Sequence, residues 1–339
     1  MSIVERLDRY QRAHPRVAMP IAVIYKYADD QGNYLTALMT YYAFLAVLPL
    51  LLLSTTILGF VLSSHPHLLH EILDSAVGQF PVVGNQLADP RGVTGSGLGL
   101  AVGIVGTIYG SLGFAQAIQN AMNVVWRVPR HRRPNPILSR LRSLVLLGAI
   151  GLANAGTSAL TIAGTSLPAL ATVGVEIGTF VVNTALFTVA FRFATAKDVT
   201  FRQVLPGALG ASFVWLFLQL AAGAYVEHVV HSATAVNGVF ALVFGLVAWL
   251  YLQSLVVVLA VEYNTVRSGR FYPRALMTIF TDDVALTDAD HRVYAEQIEA
   301  QRAKGFQIIE VSYDADGDGI PDDGFVRRNK ARPETVDDD

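Results

Sequence analysis

The chain has 339 residues, of which 53% are hydrophobic and only 15% are charged, whereas soluble domains of this size carry about 25% charged residues. Residues 31–264 hold 17 of the 52 Asp, Glu, Lys and Arg residues, so the charge is concentrated at the two ends. This distribution excludes a disordered chain and a nucleic-acid-binding domain, and it argues against an ordinary soluble enzyme. Because cysteine is absent, disulfides, thiolate catalysis and Cys-ligated metals are excluded too.

Residues 1–33 form a charged N-terminal segment with apolar side chains at helical spacing. These side chains are Ile3, Leu7, Tyr10, Val17, Ile21 and Ile24. The pattern predicts amphipathic helices that lie in the cytoplasmic membrane interface. Its charge and its prolines, Pro15 and Pro20, predict that no cleavable signal peptide is present.

Six charge-poor stretches follow, and each is long enough to cross a bilayer. The hydrocarbon layer is about 30 Å thick and needs about 20 apolar residues in helical form. The spans are predicted at about 35–60, 97–125, 143–168, 173–194, 204–226 and 236–261. The sequence therefore predicts an all-α fold, a polytopic membrane bundle of six transmembrane helices over residues 34–268.

The basic residues alternate from one loop to the next. The N-terminal segment carries five Lys and Arg, the successive loops carry one, six, none, three and none, and ten follow the sixth span. Because cytoplasmic loops retain Lys and Arg, this alternation predicts that both termini are cytoplasmic.

Residues 269–339 have the composition of a small soluble appendage with an acidic end. Thr287 and Asp290 predict the start of a capped helix that runs through about Lys304, and Gln307–Val311 predicts a short strand. We expect this tail to be cytoplasmic.

Four carboxylates in the tail have the spacing of a calcium-binding loop. They are Asp314, Asp316, Asp318 and Asp322, with Gly319 at the turn position. Phe325 stands where such loops place a bidentate Glu, which weakens the resemblance. A solvated acidic tail is the favoured interpretation, and a calcium site is the alternative; no other cofactor is expected.

Uncharged polar residues in the spans form a candidate binding site. The set consists of Thr40, Tyr41 and Tyr42 on span 1, Gln116, Gln119, Asn120 and Asn123 on span 2, and Gln253 and Glu262 on span 6. The span 2 residues lie on one helix face, and those of spans 1 and 6 fall at a similar depth. Two interpretations remain open: hydrogen bonds between helices, which is favoured, or a polar cavity open to the cytoplasm. For Glu262, and for Arg192 on span 4, snorkelling to the interface is the simpler interpretation.

Glycine pairs at four-residue spacing predict close helix contacts. They are Gly99 with Gly103 and Gly106 with Gly110 on span 2, and Gly174 with Gly178 on span 4. A hydrogen atom in place of a side chain lets two helix backbones approach each other.

Three motifs carry a resemblance to a known family. They are Tyr34–Phe44 with Leu48-Pro49-Leu50, then Gln119–Trp126 before a basic loop, and Gly245–Tyr251 running on to Asn264. Their order and the six spans resemble the YihY / virulence factor BrkB family over roughly residues 20–268. The resemblance implies a helical bundle in the bacterial plasma membrane and no settled activity. Members of that family were formerly mislabelled ribonuclease BN.

The residues do not support that nuclease label or another enzymatic activity. Phosphodiester hydrolysis usually needs carboxylates and histidines that hold metal ions, but the spans contain no such cluster and the cytoplasmic loops offer only His131. Basic residues after span 2 are explained by topology, so no nucleic-acid partner is expected. On the external side a metal site would require two loops to meet and would combine Glu71 and Glu227 with five histidines, namely His65, His67, His70, His228 and His231.

The leading functional hypothesis is transport or envelope maintenance of a neutral or amphiphilic molecule. Its partners would be the lipid bilayer and a lipid or small amphiphilic solute. The alternative is a non-catalytic membrane scaffold that recruits partners through its C-terminal tail. A homo-oligomer remains open.

Overall fold

The computed structural model describes residues 3–61, 97–164, 169–225, 235–281, 284–314 and 327–328. In chain order its elements are α1 (Ile3–Ala13), α2 (Pro15–Asp29), α3 (Gly32–Val61), α4 (Gly97–Val125), a 3-10 turn (Arg130–Arg132), α5 (Pro136–Gly164), α6 (Ala169–Ala194), α7 (Phe201–Tyr225), α8 (Ala235–Gly269), α9 (Asp288–Ala300), β1 (Glu310–Val311) and β2 (Arg327–Arg328). The two strands pair antiparallel, with Glu310 opposite Arg328.

The described chain is a helical membrane bundle, as predicted. Within the described residues three helical segments are long and apolar enough to cross a membrane: Gly174–Ala194 in α6, Phe201–Gln219 in α7 and Val243–Gly269 in α8. Helices α3, α4 and α5 contain 29 or 30 residues each and overlap the first three predicted spans, although α5 begins at Pro136, seven residues before the predicted third span. That all six helices cross the membrane remains a prediction.

Small side chains let the long helices pack closely. Helix α3 lies along α4, α8 contacts α2, α3, α4 and α7, and α6 packs between α5 and α7. The core where α3, α4 and α8 meet is rich in Ala and Val and contains the buried Met39 and Met122. Burying small residues brings the helix backbones together, so polar groups on one helix come within hydrogen-bonding distance of the next.

Two of the predicted glycine contacts can be followed in the packing. A Cβ atom added to Gly110 would lie 2.6 Å from the backbone of Ala46, and one added to Gly106 would lie 2.8 Å from the ring of Pro49. The predicted close contact is therefore confirmed between α3 and α4. At Gly174 and Gly178, by contrast, an added Cβ would meet no described atom within 4 Å.

The appendage begins its helix as predicted but ends it earlier. The Thr287 hydroxyl accepts a hydrogen bond from the Asp290 amide, while the Asp290 carboxylate accepts one from the Thr287 amide, so the predicted cap is confirmed. Helix α9 ends at Ala300 instead of near Lys304, and the strand contains only Glu310–Val311. Beyond Ala300 the amides of Gln301 and Arg302 donate to carbonyls three residues back, those of Ile298 and Glu299, so the last turn tightens; the Arg302 carbonyl in turn accepts a hydrogen bond from the His131 amide.

Candidate functional site

A buried lysine lies where three helices meet at one end of the bundle. The Lys26 ammonium, on α2, donates to Glu262 Oε2 on α8 at 2.8 Å and to the carbonyl of Val125 at the end of α4 at 2.9 Å. It also forms an ion pair with Asp30, one turn further along its own chain. One side chain therefore joins α2, α4 and α8.

Arg127 extends this arrangement to the appendage. It follows α4 with a φ of 54°, in the left-handed position that ends a helix, and the Val128 amide donates back to the Asn123 carbonyl at 2.8 Å. Its guanidinium lies 3.4 Å from Asp30 Oδ1 and donates to the carbonyl of Val293 on α9. The turn that ends α4 thus places a cation between the bundle and the appendage.

We call Lys26, Asp30, Arg127 and Glu262 the charge cluster. It contains two cations and two anions, and each side chain is at most 3% exposed. Removing ions from water costs several kcal/mol each, and close pairing offsets that cost. One carboxylate oxygen, Glu262 Oε1, has no hydrogen-bond partner in the described part of the chain.

The charge cluster corrects two expectations drawn from the sequence. Snorkelling is wrong for Glu262, because α2 packs against α8 and covers this carboxylate, which bonds Lys26 instead of water. Lys26, on a helix expected to lie along the interface, is likewise fully buried within the protein. The second expected snorkelling residue, Arg192, is exposed and stacks over the ring of Phe201.

A second buried ion-pair group fastens the appendage to the N-terminal helices. The fully buried Arg274 lies 2.9 Å from Asp29 on α2 and also pairs with Asp290 on α9. Asp290 accepts a further hydrogen bond from the amide of Ala275 at 2.9 Å. Burial raises the pKa of the Asp29 carboxyl above its usual range, and the Arg274 guanidinium opposes that rise. We call Arg274, Asp29 and Asp290 the appendage latch.

Three residues of the predicted polar stripe on α4 bond to neighbouring parts of the bundle. Gln119 donates to the Ser143 hydroxyl of α5 at 2.8 Å, and Asn123 accepts from the amide of Ala196 after α6 at 2.8 Å. Asn120 accepts from Arg133 at 3.4 Å. The Gln119–Ser143 bond joins two helices, as the favoured interpretation expects, whereas Asn123 and Asn120 bond to residues in the connecting loops.

The other candidates of the polar set lie apart from these three. Thr40 donates to the carbonyl of Thr36 within its own helix, while Tyr42 packs against Gly113 of α4. Tyr41 and Gln116 are exposed on the helix surface, and Gln253 is half-buried. A shared polar cavity remains a prediction.

The candidate metal ligands fall largely outside the described residues. This holds for Asp316, Asp318 and Asp322, and also for Glu71, Glu227, His65, His67, His70, His228 and His231; Asp314 is described and exposed. Within the described ranges no three His, Asp or Glu side chains come together as metal ligands.

The sequence did not reveal that these ionic residues are buried, because the positive charge of the cytoplasmic loops already explained the basic ones. Lys26 and Asp30 are four residues apart on a helix, a spacing that could have indicated an ion pair. Nothing in the local sequence marks Arg127 or Arg274 as buried. Also missed was Asn264 of α8, which accepts from the Gly207 amide at 2.7 Å and so ties α8 to α7.

A matched pair of substitutions tests the role of the stripe. Gln119→Leu removes a buried hydrogen-bonding group, and the Ser143 hydroxyl loses the hydrogen bond that it accepts. We therefore expect the free energy of unfolding to fall by about 1–2 kcal/mol. Gln116→Leu, one turn away and exposed, should stay within about 0.5 kcal/mol of the unsubstituted protein. The measurement is a denaturant titration in detergent micelles, and equal effects at the two positions would contradict the packing role of Gln119.

The fold and the buried ion pairs define a polytopic α-helical membrane protein whose helices meet at a charged end. Residues 23–278 match the family described as virulence factor BrkB, so three quarters of the chain is covered. The chain therefore belongs to the BrkB family, which confirms the resemblance found in its motifs.

Comparison with individual proteins gives relatives that are membrane proteins. The chain is 26% identical to a UPF0761 membrane protein of Aromatoleum aromaticum over 209 residues, which is 56% of this chain and 50% of that protein. It is 37% identical to the inner membrane protein YhjD of Escherichia coli over 73 residues, 22% of this chain and 21% of that protein. The chain thus spans half or less of the length of these curated relatives. No solved structure matches it.

Proposed function

We propose that this protein transports a neutral or amphiphilic molecule across the bacterial plasma membrane and that the charge cluster is a gate at its cytoplasmic end. The single observation that carries the proposal is the burial of Lys26 and Glu262, on different helices, within one ion-pair group. Ionisable residues buried among membrane helices are costly and are by default candidates for a functional role.

Stability alone is a weak explanation for such a cluster. Buried ion pairs can often be replaced by apolar side chains without loss of stability, so their value lies in fixing one arrangement among several. The charge cluster connects α2, α4, α8 and the appendage, which are the elements that would separate if this end opened. Transporters commonly alternate access by moving one group of helices against another.

The polar side chains of α4 support a path that leads to this gate. Gln119 and Asn123 lie one and a half turns and half a turn before Val125, whose carbonyl accepts from Lys26. Because these two side chains bond to Ser143 of α5 and to Ala196 after α6, opening would also have to separate α4 from those elements before a polar group of the cargo could bond to them. A neutral or amphiphilic cargo suits this path because the predicted spans place no charged residue at their centres.

Labelling of single cysteines tests the gate, and the chain needs no prior removal of native cysteines. Ser254 is buried on α8, eight residues before Glu262 and so about 12 Å from it along the helix. In membranes with the basic end accessible, a membrane-impermeant maleimide should label Ser254→Cys at least about tenfold faster when Lys26→Met is added. Arg12→Met, which removes an exposed ion pair, should leave the labelling rate unchanged.

A second cysteine separates opening of a gate from general loosening. Ser212 is buried on α7 and should stay unlabelled in both backgrounds. An unchanged rate at Ser254→Cys would overturn the gate and the transport proposal with it. Equal acceleration at Ser212→Cys would do the same, because it would mean that the bundle had unfolded.

A scaffold role is the second candidate, and exposed apolar residues on the appendage favour it. Ile298, Phe306 and Ile308 are each at least half exposed around the end of α9. A partner protein would cover such side chains, since aromatic and aliphatic residues dominate the centres of interfaces. The scaffold becomes the better proposal if the maleimide experiment gives unchanged labelling.

A further inference from the structure

A groove on the outer surface of the bundle lies between α6 and α7. It has a volume of about 350 Å³, within the range of small-molecule sites. Six of its lining residues are Val181, Ala185 and Val189 on α6 and Phe201, Leu205 and Leu209 on α7. Within each helix these residues are four positions apart, so they form two facing rows along the groove.

The groove is apolar over its whole described length. Thr184 and Thr188 also line it, but their hydroxyls donate to the carbonyls of Phe180 and Thr184 in their own helix. From Val181 to Val189 the rise of α6 is about 12 Å, close to the roughly 15 Å depth of one hydrocarbon leaflet. The groove therefore has the polarity and length to hold a lipid acyl chain.

Positive charge lies at one end of the groove. The exposed guanidinium of Arg192 stands 4.4 Å from the centre of the Phe201 ring, which itself lines the groove, and Arg192 makes no ion pair with any described residue. Arg202, which directly follows Phe201 in the chain, is exposed too. Helix α7 begins at Phe201, so its N-terminal dipole also favours an anion there.

We infer that this groove binds an anionic phospholipid, with an acyl chain between α6 and α7 and the phosphate beside Arg192. Charge complementarity selects this occupant, because a zwitterionic lipid presents a cationic group beside its phosphate and is therefore attracted less strongly by the Arg192 guanidinium than an anionic lipid is. The inference does not depend on the transport proposal: the lipid is a bound ligand on the outer face of the bundle and not the transported molecule. It also accounts for an arginine that stacks on an aromatic ring at the end of an apolar groove.

Native mass spectrometry tests the site with two defined lipids. The protein is purified in detergent with equal amounts of dioleoyl phosphatidylglycerol and dioleoyl phosphatidylcholine, and the retained copies of each are counted. We expect phosphatidylglycerol to be retained preferentially. Arg192→Gln should lower its retention about fivefold, since one basic contact near the headgroups changes lipid affinity by about that factor. The retention of phosphatidylcholine should be the same in Arg192→Gln as in the unsubstituted protein.

Ala185→Phe should block the acyl chain and remove most of the retained phosphatidylglycerol, and Val189→Phe provides a second obstruction of the same groove. The matched controls are Ala248→Phe, an exposed position on α8, and Arg140→Gln, an exposed arginine on α5. Equal retention of the two lipids by the unsubstituted protein would overturn the proposal. So would control variants that lower retention as much as their counterparts in the groove.

Discussion

Lys26→Met is expected to lower the free energy of unfolding by about 3–5 kcal/mol, because it leaves the carboxylate of Glu262 buried without its counterion. Met keeps most of the length and apolar volume of the Lys side chain, so the loss is electrostatic and not a packing defect. The measurement is a denaturant titration of the purified protein in detergent micelles.

The double variant Lys26→Met with Glu262→Met decides the cause of this loss. With both charges of the pair removed, no uncompensated anion remains at Glu262, and most of the lost stability should return. If the double variant is as unstable as Lys26→Met, the ion pair is not the origin of the effect. Recovered stability together with fast maleimide labelling of Ser254→Cys would separate the gating role of the charges from their contribution to stability.

Arg274→Met should release the appendage from the bundle. It removes the cation that the carboxylates of Asp29 on α2 and Asp290 on α9 share. We therefore expect the free energy that holds the appendage to the bundle to fall by about 3–5 kcal/mol. Trypsin cleavage at Arg292 and Lys304 should accelerate by more than about 100-fold, because cleavage follows the population of the opened state and each 1.4 kcal/mol changes that population about tenfold.

Arg12→Met provides the matched control for the appendage latch. Arg12 pairs with Asp8 and donates to the carbonyl of Ala285 in the appendage at 3.3 Å, but both contacts are exposed, and their loss should cost no more than about 1 kcal/mol. Slow cleavage of both variants would contradict the appendage latch as the attachment of residues 270–300. Fast cleavage of both would assign the attachment to the whole surface and not to Arg274.

The charge cluster and the appendage latch lie close together and both involve α9. The charge cluster joins α2, α4 and α8, and the appendage latch joins α9 to α2 through Asp290 and Asp29. The Arg127 guanidinium donates to the Val293 carbonyl of α9, so movement of the appendage would act directly on the charge cluster. A partner that bound the exposed face of α9 would therefore be positioned to influence the proposed gate.

Much of the fold could be predicted because membrane helices are specified locally. A run of about 20 apolar residues is a property of consecutive positions, so the presence of α6, α7 and α8 follows from composition. Their bounds follow less well, since α8 continues to Gly269, eight residues beyond the predicted end of the sixth span. The cap at Thr287 is equally local, since its partner Asp290 lies three residues away. The end of α9 was predicted too late: its last turn tightens at Gln301 and Arg302, and the Arg302 carbonyl then accepts a hydrogen bond from His131, a contact between residues far apart in the sequence.

The candidate site was predictable only in part, because its residues come from helices that lie far apart in the sequence. The stripe of Gln119 and Asn123 follows from helical periodicity, but their partners on α5 and beyond α6 depend on how the helices pack. Lys26 and Glu262 are separated by more than 200 residues, and no local pattern indicates that they meet. Their burial is decided by the position of α2 against α8.

By itself, the sequence determined the class of protein: the deficit of charge over residues 31–264 requires a solvent other than water, and the basic residues sort into alternate loops. The tertiary structure alone decided which of the remaining charges are buried. Some basic residues that topology explains, among them Lys26 and Arg127, are paired inside the protein, whereas Arg192 lies on the surface beside an apolar groove. Charge counts cannot separate these cases, because burial depends on which helices lie side by side.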